Sequence, residues 1–127
     1  MTADHALRFP ADMAAYFRCR WDNESLWKLD LPISELPLRE LVWHLDLPFW
    51  ASDPPERIFD VVPRDVLGAP EAHPVRTARM ERAQVAWPLH VTRFGTRIVI
   101  LDGIHRLARL VRDGGVERVL VRHVPTP

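Results

Sequence analysis

The chain has 127 residues, 47% of them apolar, which is enough for one hydrophobic core and predicts a single domain over residues 1–127. Seventeen basic and seventeen acidic side chains cancel, and the resulting zero net charge disfavours nucleic-acid binding. No apolar run is long enough to span a bilayer, and the N-terminus lacks the basic and apolar stretches of a secretory signal. We therefore expect a cytoplasmic protein with no membrane partner. The single cysteine, Cys19, excludes an internal disulfide and is predicted to be a buried thiol.

The first seventy residues are rich in tryptophan and proline. Apolar residues at helical spacing predict a helix over residues 10–18, followed by a loop over residues 21–25. Alternation over residues 27–33 predicts a strand, and Pro32 restricts it to the edge of a sheet because proline cannot donate a backbone hydrogen bond.

A second helix is predicted after Ser34, which is a favoured N-cap residue, and before Pro48, which would end it. Its apolar stripe consists of Leu38, Leu41, Val42 and Leu45. Glu40 and His44 lie four residues apart on its other side, where a solvated helix face is the alternative to a functional pair. The aromatic segment 43–50 is expected to form a core, a pocket wall or a homodimer surface.

The middle of the chain is predicted to contain connections over residues 51–74, with one short turn near residues 63–67. A helix over residues 74–85 should direct Val75, Ala78 and Val85 inward. Six arginines here and in the next helix could form a basic face for nucleic acid, namely Arg76, Arg79, Arg82, Arg106, Arg109 and Arg112.

The C-terminal part, residues 74–124, has the clearest pattern. A strand over residues 88–94 turns at Gly95 into a strand over residues 97–101, whose continuous apolar run is typical of a central strand buried on both faces. A helical stripe follows at Ile104, Leu107, Ala108 and Val111, and a strand over residues 116–124 comes after a glycine pair. The pattern predicts an α+β fold, a small mixed sheet flanked by helices, with a C-terminal β-α-β unit as a right-handed parallel crossover.

The junction of the second strand and this helix reads Leu101-Asp102-Gly103-Ile104-His105-Arg106. A helix N-terminus exposes unpaired N–H groups that attract anions, and Gly103 would let a phosphate approach the backbone. His105 and Arg106 could both donate hydrogen bonds to phosphate oxygens. The alternative is a simple turn in which Asp102 is the N-cap.

The segment from Ile98 to Ala108 resembles the signature of the ParB/sulfiredoxin superfamily, in which an apolar strand runs into a D-G-x-H-R turn and then a helix. Trp87-Pro88-Leu89-His90-Val91 resembles the preceding family strand, and residues 115–124 resemble the closing strand. The resemblance covers about the last forty residues, while residues 1–70 match loosely. It implies a ParB/sulfiredoxin-like fold and nucleotide binding.

Two activities of the superfamily are disfavoured by the residues present. Ile104 stands where sulfiredoxins have their catalytic cysteine, and Gly103-Ile104-His105-Arg106 differs from the G-E-R-R box of the partition proteins. The free-serine kinases of the superfamily are more similar, since their L-D-G-H-H-R motif differs from this chain only at Ile104.

The resemblance to these kinases implies phosphoryl transfer from a nucleoside triphosphate or diphosphate, with Mg²⁺, to a small hydroxyl compound. Glu40 would be catalytic, with Glu35 as the alternative, and Asp102 would orient His105 or contact the metal. Four residues would bind the nucleotide, namely Gly103, Ile104, His105 and Arg106. His90 and Arg93 on the neighbouring strand could support them.

Other functions remain open at this point. The same phosphate site would serve a nucleotide hydrolase, or a nucleotide-sensing or protein-interaction module without turnover. Nucleic-acid binding or cleavage and a purely structural domain are the remaining alternatives.

Overall fold

The computed structural model describes residues 23–50 and 61–125. The predicted helix over residues 10–18 and Cys19 lie outside this range. The helices are α1 (Asn23–Trp27), α2 (Pro63–Gly68), α3 (Pro74–Glu81) and α4 (Ile104–Asp113), with short 3₁₀ helices at Leu38–Glu40, Val42–Asp46 and Pro70–Ala72. The strands are β1 (Ile33–Pro37), β2 (Leu89–Phe94), β3 (Arg97–Asp102) and β4 (Arg118–His123). None of these helices is long and apolar enough to span a membrane.

The strands form one mixed sheet in the order β1-β4-β2-β3. β2 and β4 are parallel, whereas the β1–β4 and β2–β3 pairs are antiparallel. This arrangement confirms the α+β class. The predicted parallel crossover from β3 to β4 is wrong, because the tight turn at Gly95 makes β3 the antiparallel hairpin partner of β2. The parallel connection instead leads from β2, through β3 and α4, to β4.

β3 is an edge strand of the sheet described, and the prediction of a central strand is wrong. Its burial on both faces is nevertheless confirmed. Ile98 and Ile100 belong to the main core, while Leu101 packs in a smaller cluster with Leu26 and Val124 on a second side. The apolar composition of β3 therefore reflects burial against the main core on one side and against the smaller cluster on the other, and not a central position in the sheet.

The main core lies between the sheet and the helices. α4 buries Leu107 and Ala108 against it, as its stripe predicts, and ends at Gly114 with a φ of 74°. Leu41 and Leu45 add to the same core from the first half of the chain. Leu45 lies in the second 3₁₀ helix and Leu41 in the turn between the first two, and not in the continuous helix that their spacing predicts.

The predicted strand over residues 27–33 and the predicted helix after Ser34 are wrong because pairing with β4 decides the local structure there. The strand begins after Pro32 and not before it, because Ile33 pairs with Arg122 and Pro37 with Arg118. Ser34 therefore lies within β1 and caps no helix. Residues 23–27, predicted to be in a loop and a strand, form α1.

α3 begins at Pro74 as predicted and ends at Glu81, which is earlier than expected. Met80 is its buried residue, whereas Val75 and Val85 are exposed. Because the helix ends before Val85, that residue does not share the inward face on which the prediction placed it.

Candidate functional site

The carboxylate of Asp102, at the end of β3, joins three segments of the chain. Its Oδ2 accepts hydrogen bonds from Arg106 Nη2 at 2.8 Å and from the indole Nε1 of Trp27 at 2.9 Å. Arg106 also donates through Nη1 to the carbonyl oxygen of Pro88 at 2.7 Å. The Arg106 residue is only 9% exposed, so its charge is held in a fixed position beside this carboxylate.

Asp102 does not cap α4. The N-cap residue is Gly103, no side chain caps the helix, and the Gly103 carbonyl accepts the first helical hydrogen bond from Leu107. The expectation that Asp102 is a simple N-cap is therefore wrong. Its carboxylate is instead committed to Arg106 and Trp27.

A β-bulge brings His90 opposite Asp102. The hairpin pairs Thr92 with Val99 and Val91 with Ile100, but His90 pairs with Asp102, so Leu101 is the extra residue. His90 Nδ1 lies 3.9 Å from Asp102 Oδ2. His90 is 6% exposed, and its Nδ1 is buried without a hydrogen-bond partner. Burial lowers the pKa of His90, Asp102 opposes that shift, and Arg106 and Arg122 add to it, so the imidazole is neutral at pH 7.

Gly103 is required for packing. A Cβ at this position would lie 2.4 Å from Leu89 Cδ2, and the backbone φ of +122° is unfavourable for other residues. The side chain of Leu89 occupies the space through which the sequence predicted that a phosphate would approach. Ile104, the next residue, packs against the main core.

His105 and Arg106 are neighbours in sequence but project to different sides of α4. The His105 ring stacks on Trp50 with centroids 4.5 Å apart and planes 16° from parallel. Burial, followed by the nearby charges of Arg79 and Arg76, lowers the pKa of His105 to about 3. The imidazole is therefore neutral and stacks on Trp50, whereas the Arg106 guanidinium pairs with Asp102.

The two glutamates proposed as catalytic are not brought to Asp102. Glu40 is exposed on the 3₁₀ helix that begins at Leu38, whose N–H bonds to the Glu117 carbonyl just before β4. Glu35 is also exposed, and its carboxylate accepts a 3.0 Å hydrogen bond from Arg118 Nε at the start of β4. His90, opposite Asp102, pairs instead with Arg122 near the other end of β4. At about 3.3 Å per strand residue, these two ends lie more than about 13 Å apart.

A pocket of about 630 Å³ opens beside the buried pair. Its walls come from α1 and the segment that follows, from the start of β2, and from α4 and β4. The lining residues are Trp27, Lys28, Leu29, Asp30, Trp87, Pro88, His90, Arg106 and Arg122. Trp27 and Trp87 are 60% and 59% exposed, which is unusual for large aromatic side chains.

Of the residues predicted to bind or react, only Arg106 lines this pocket. Asp102 is not part of the lining but orients the Arg106 guanidinium through their hydrogen bond. His90, expected to have a supporting role, lines the pocket directly, whereas Arg93 is exposed elsewhere on β2. The sequence predicted no role for Lys28 and Arg122. The available signal was weak, namely a basic residue in β4 that alternates with the buried Val119 and Val121.

The aromatic segment 43–50 belongs to the core. Phe49 and Trp50 are buried, and Trp43 stacks on His44 at 3.8 Å between ring centroids. The guanidinium of Arg97 lies 4.5 Å from the Trp43 ring centre. His44 is completely buried, so the expectation of a solvated face for Glu40 and His44 is wrong for the histidine.

The arginines predicted to form a basic face are partly engaged. Arg109 donates to the Glu81 and Ala83 carbonyls, and Arg112 pairs with the carboxylates of Glu81 and Asp113. With Arg106 buried against Asp102, these contacts leave a weaker positive surface than the sequence suggests. Across residues 23–50 and 61–125, no three His, Cys, Asp or Glu side chains are grouped so as to hold a metal ion.

No protein-family model, curated protein or solved structure matches this chain.

Proposed function

We propose that this chain is a nucleotide-binding domain of the ParB/sulfiredoxin type, with its ligand in the pocket between Trp27 and Trp87. The observation that carries the proposal is the composition of that pocket, which combines two largely exposed indoles with three cationic side chains, Lys28, Arg106 and Arg122. A planar base and an anionic phosphate chain are complementary to these two kinds of group.

The indoles supply the base-binding surface. Stacking of a base on an aromatic side chain contributes about 1–3 kcal/mol and tolerates any base, since every base has a π face. Such a ligand would cover apolar surface of Trp27 and Trp87 that is exposed to water, which is favourable. Trp27 is also held by its hydrogen bond to Asp102, so it is oriented before a ligand arrives.

The cations supply the phosphate-binding surface. Lys28 and Arg122 lie at the pocket wall, and Arg106 adds a fixed charge whose orientation is set by Asp102 and Pro88. Asp30 is the carboxylate of the lining and can accept hydrogen bonds from ribose hydroxyls. Mg²⁺, if it accompanies the nucleotide, would be held mainly by phosphate oxygens and water, as is common for this ion.

Phosphoryl transfer to a small hydroxyl compound is the catalytic form of this proposal, and nucleotide hydrolysis is its variant with water as the acceptor. The exposed position of Glu40, near the start of β4, favours instead a module that binds nucleotide without using that glutamate. Nucleotide sensing is therefore the form of the proposal that the geometry supports best.

Isothermal titration calorimetry with ATP, ADP, CTP and inorganic phosphate, each with and without Mg²⁺, tests the proposal. We expect at least one nucleotide to bind more tightly than phosphate, and Trp87→Ala and Arg122→Gln to weaken it by about tenfold or more. Arg118→Gln is the matched control, because Arg118 lies on the same strand, is exposed and pairs with Glu35. Absence of binding for all four compounds would contradict the proposal.

A second measurement separates an enzyme from a sensor. Glu40→Gln should leave nucleotide binding intact in either case. Release of phosphate, or transfer to a hydroxyl compound, by the wild-type chain and its loss in Glu40→Gln would restore the catalytic form.

A further inference from the structure

His90 is a buried functional group of the pocket with an unsatisfied hydrogen-bonding position. It is more than nine-tenths buried, it lines the pocket, and its Nδ1 has no hydrogen-bond partner. Buried polar atoms are nearly always satisfied in folded proteins, so an exception inside a pocket points to a ligand or to a change that occurs on binding.

The position of Asp102 determines which nitrogen of His90 a ligand can contact. Nδ1 lies on the side of Asp102, at 3.9 Å from Oδ2. A carboxylate on one side of an imidazole favours the tautomer with the proton on that side and directs the other nitrogen outward. Nε2, on the opposite side of the ring, is therefore the nitrogen available to a ligand in the pocket.

The charges around His90 define the kind of ligand group. Arg106 and Asp102 form an ion pair and neutralise each other. Lys28, Arg122 and Asp30 then leave the lining with a net charge of about +1. A dianionic terminal phosphate would bring this to about −1, and one proton on His90 would restore neutrality.

We propose that His90 takes up a proton when a terminal phosphate enters the pocket and then donates a hydrogen bond to it from Nε2, while its Nδ1–H closes from 3.9 Å to a hydrogen bond with Asp102 Oδ2. This inference rests on the proposed nucleotide binding and adds the terminal phosphate as the recognised group. Before phosphate binds, the ring is neutral, because burial and the facing cations Arg106 and Arg122 outweigh Asp102. Once phosphate is bound, a charge-assisted hydrogen bond from His90 Nε2 to a phosphate oxygen compensates the protonated imidazole for the water that it lacks in the buried site.

Calorimetry at pH 7.5 with MgATP and MgCTP, in two buffers with different ionisation enthalpies, measures the protons taken up on binding. The terminal phosphate is already fully ionised at this pH. For the wild-type chain we expect uptake of about half a proton or more per nucleotide bound, as linkage requires when a group gains a proton on binding. His90→Gln, which can still donate a hydrogen bond through its amide, should bind with no proton uptake.

Two controls make the result specific. His123→Gln changes an exposed histidine on the neighbouring strand β4 and should retain the wild-type uptake. Adenosine, which has no phosphate, should bind the wild-type chain without proton uptake. Nucleotide binding without proton uptake in the wild-type chain would overturn the role of His90 alone, whereas failure of ATP, ADP, CTP and inorganic phosphate all to bind would overturn the proposed function and this inference with it. Uptake that persists in His90→Gln would also overturn the role of His90.

Discussion

The imidazole Nε2 of His44 accepts a 2.9 Å hydrogen bond from the backbone N–H of Ile100, on the edge strand β3. Its Nδ1 lies 2.7 Å from the Leu41 carbonyl oxygen, which fixes the proton on Nδ1. One neutral side chain thus satisfies a main-chain donor on the side of β3 where the described residues form no further strand, and covers part of that sheet edge.

This arrangement predicts acid sensitivity. Burial lowers the pKa of His44 to about 4 from its ordinary value of 6.5. Between pH 6.5 and about pH 4, His44 is protonated in the unfolded chain but neutral in the folded chain. Its contribution to the free energy of unfolding is therefore fully present above pH 6.5 and falls as the pH decreases across this interval. The loss at pH 5 relative to pH 7 is about 2 kcal/mol from this residue.

Urea unfolding of the wild-type chain and of His44→Gln at pH 7 and pH 5 measures the effect. The variant should be less stable at pH 7 but should show a smaller loss on acidification. His123→Gln, which changes an exposed histidine, should keep the wild-type pH dependence. An unchanged slope in His44→Gln would contradict the assignment.

Gly103→Ala should destabilise the fold strongly. The added methyl would meet Leu89 Cδ2 at 2.4 Å on a backbone with a φ of +122°, so overpacking and backbone strain combine to about 3 kcal/mol. Gly68→Ala is the matched control, since nothing lies within 4 Å of its added Cβ. Its effect should stay within about 1 kcal/mol. Chemical denaturation compares the two, and equal losses would show that the contact with Leu89 is not limiting.

Arg106→Ala should reduce stability by about 3 kcal/mol, because it leaves the Asp102 carboxylate without its cation and the Pro88 carbonyl without its donor. Arg112→Ala removes an ion pair on the exposed side of the same helix and should cost less than about 1 kcal/mol. Urea titration measures the free energies of unfolding, and Arg106→Ala should lose more stability than Arg112→Ala. Combining Arg106→Ala with Asp102→Ala should recover part of the loss, since the stranded charge is removed.

Trp27→Phe retains an aromatic ring in the pocket but removes the indole N–H that bonds Asp102. We expect a loss of about 1 kcal/mol, since the bond is to a charged acceptor but lies near solvent. Trp87→Phe removes no hydrogen bond shown by the structure and should change stability by less than about 0.5 kcal/mol. Thermal unfolding followed by circular dichroism tests the difference, and indistinguishable melting temperatures would argue against an anchoring role for Trp27.

The C-terminal elements were predictable because local pattern and packing agree there. The stripe of α4, its glycine stop and the apolar run of β3 all point to the same structure. In the first half of the chain, the local sequence pattern and the tertiary packing disagree. Ser34 is a good N-cap by type but lies in a strand because β4 pairs with it, and His44 is a polar residue buried to satisfy a strand that is distant in sequence.

The candidate site likewise has features that the sequence predicts and features that depend on tertiary structure. The proximity of Asp102 and Arg106 follows from their spacing of four residues across the start of a helix. The different directions of His105 and Arg106 follow from the helical rotation of about 100° per residue, but which of them faces the pocket depends on where the sheet lies. The contribution of Trp27, which comes from a segment 75 residues away, depends entirely on tertiary structure.

The contact between Gly103 and Leu89 has a consequence for how this chain can change in evolution. The two positions belong to one steric unit, so a larger residue at 103 requires a shorter residue at 89 together with a change of the backbone φ of +122°. Related sequences should therefore show correlated residue sizes at 89 and 103. A relative that keeps Asp102 and Arg106 but combines a leucine at 89 with a bulky residue at 103 should have a rebuilt strand-to-helix junction.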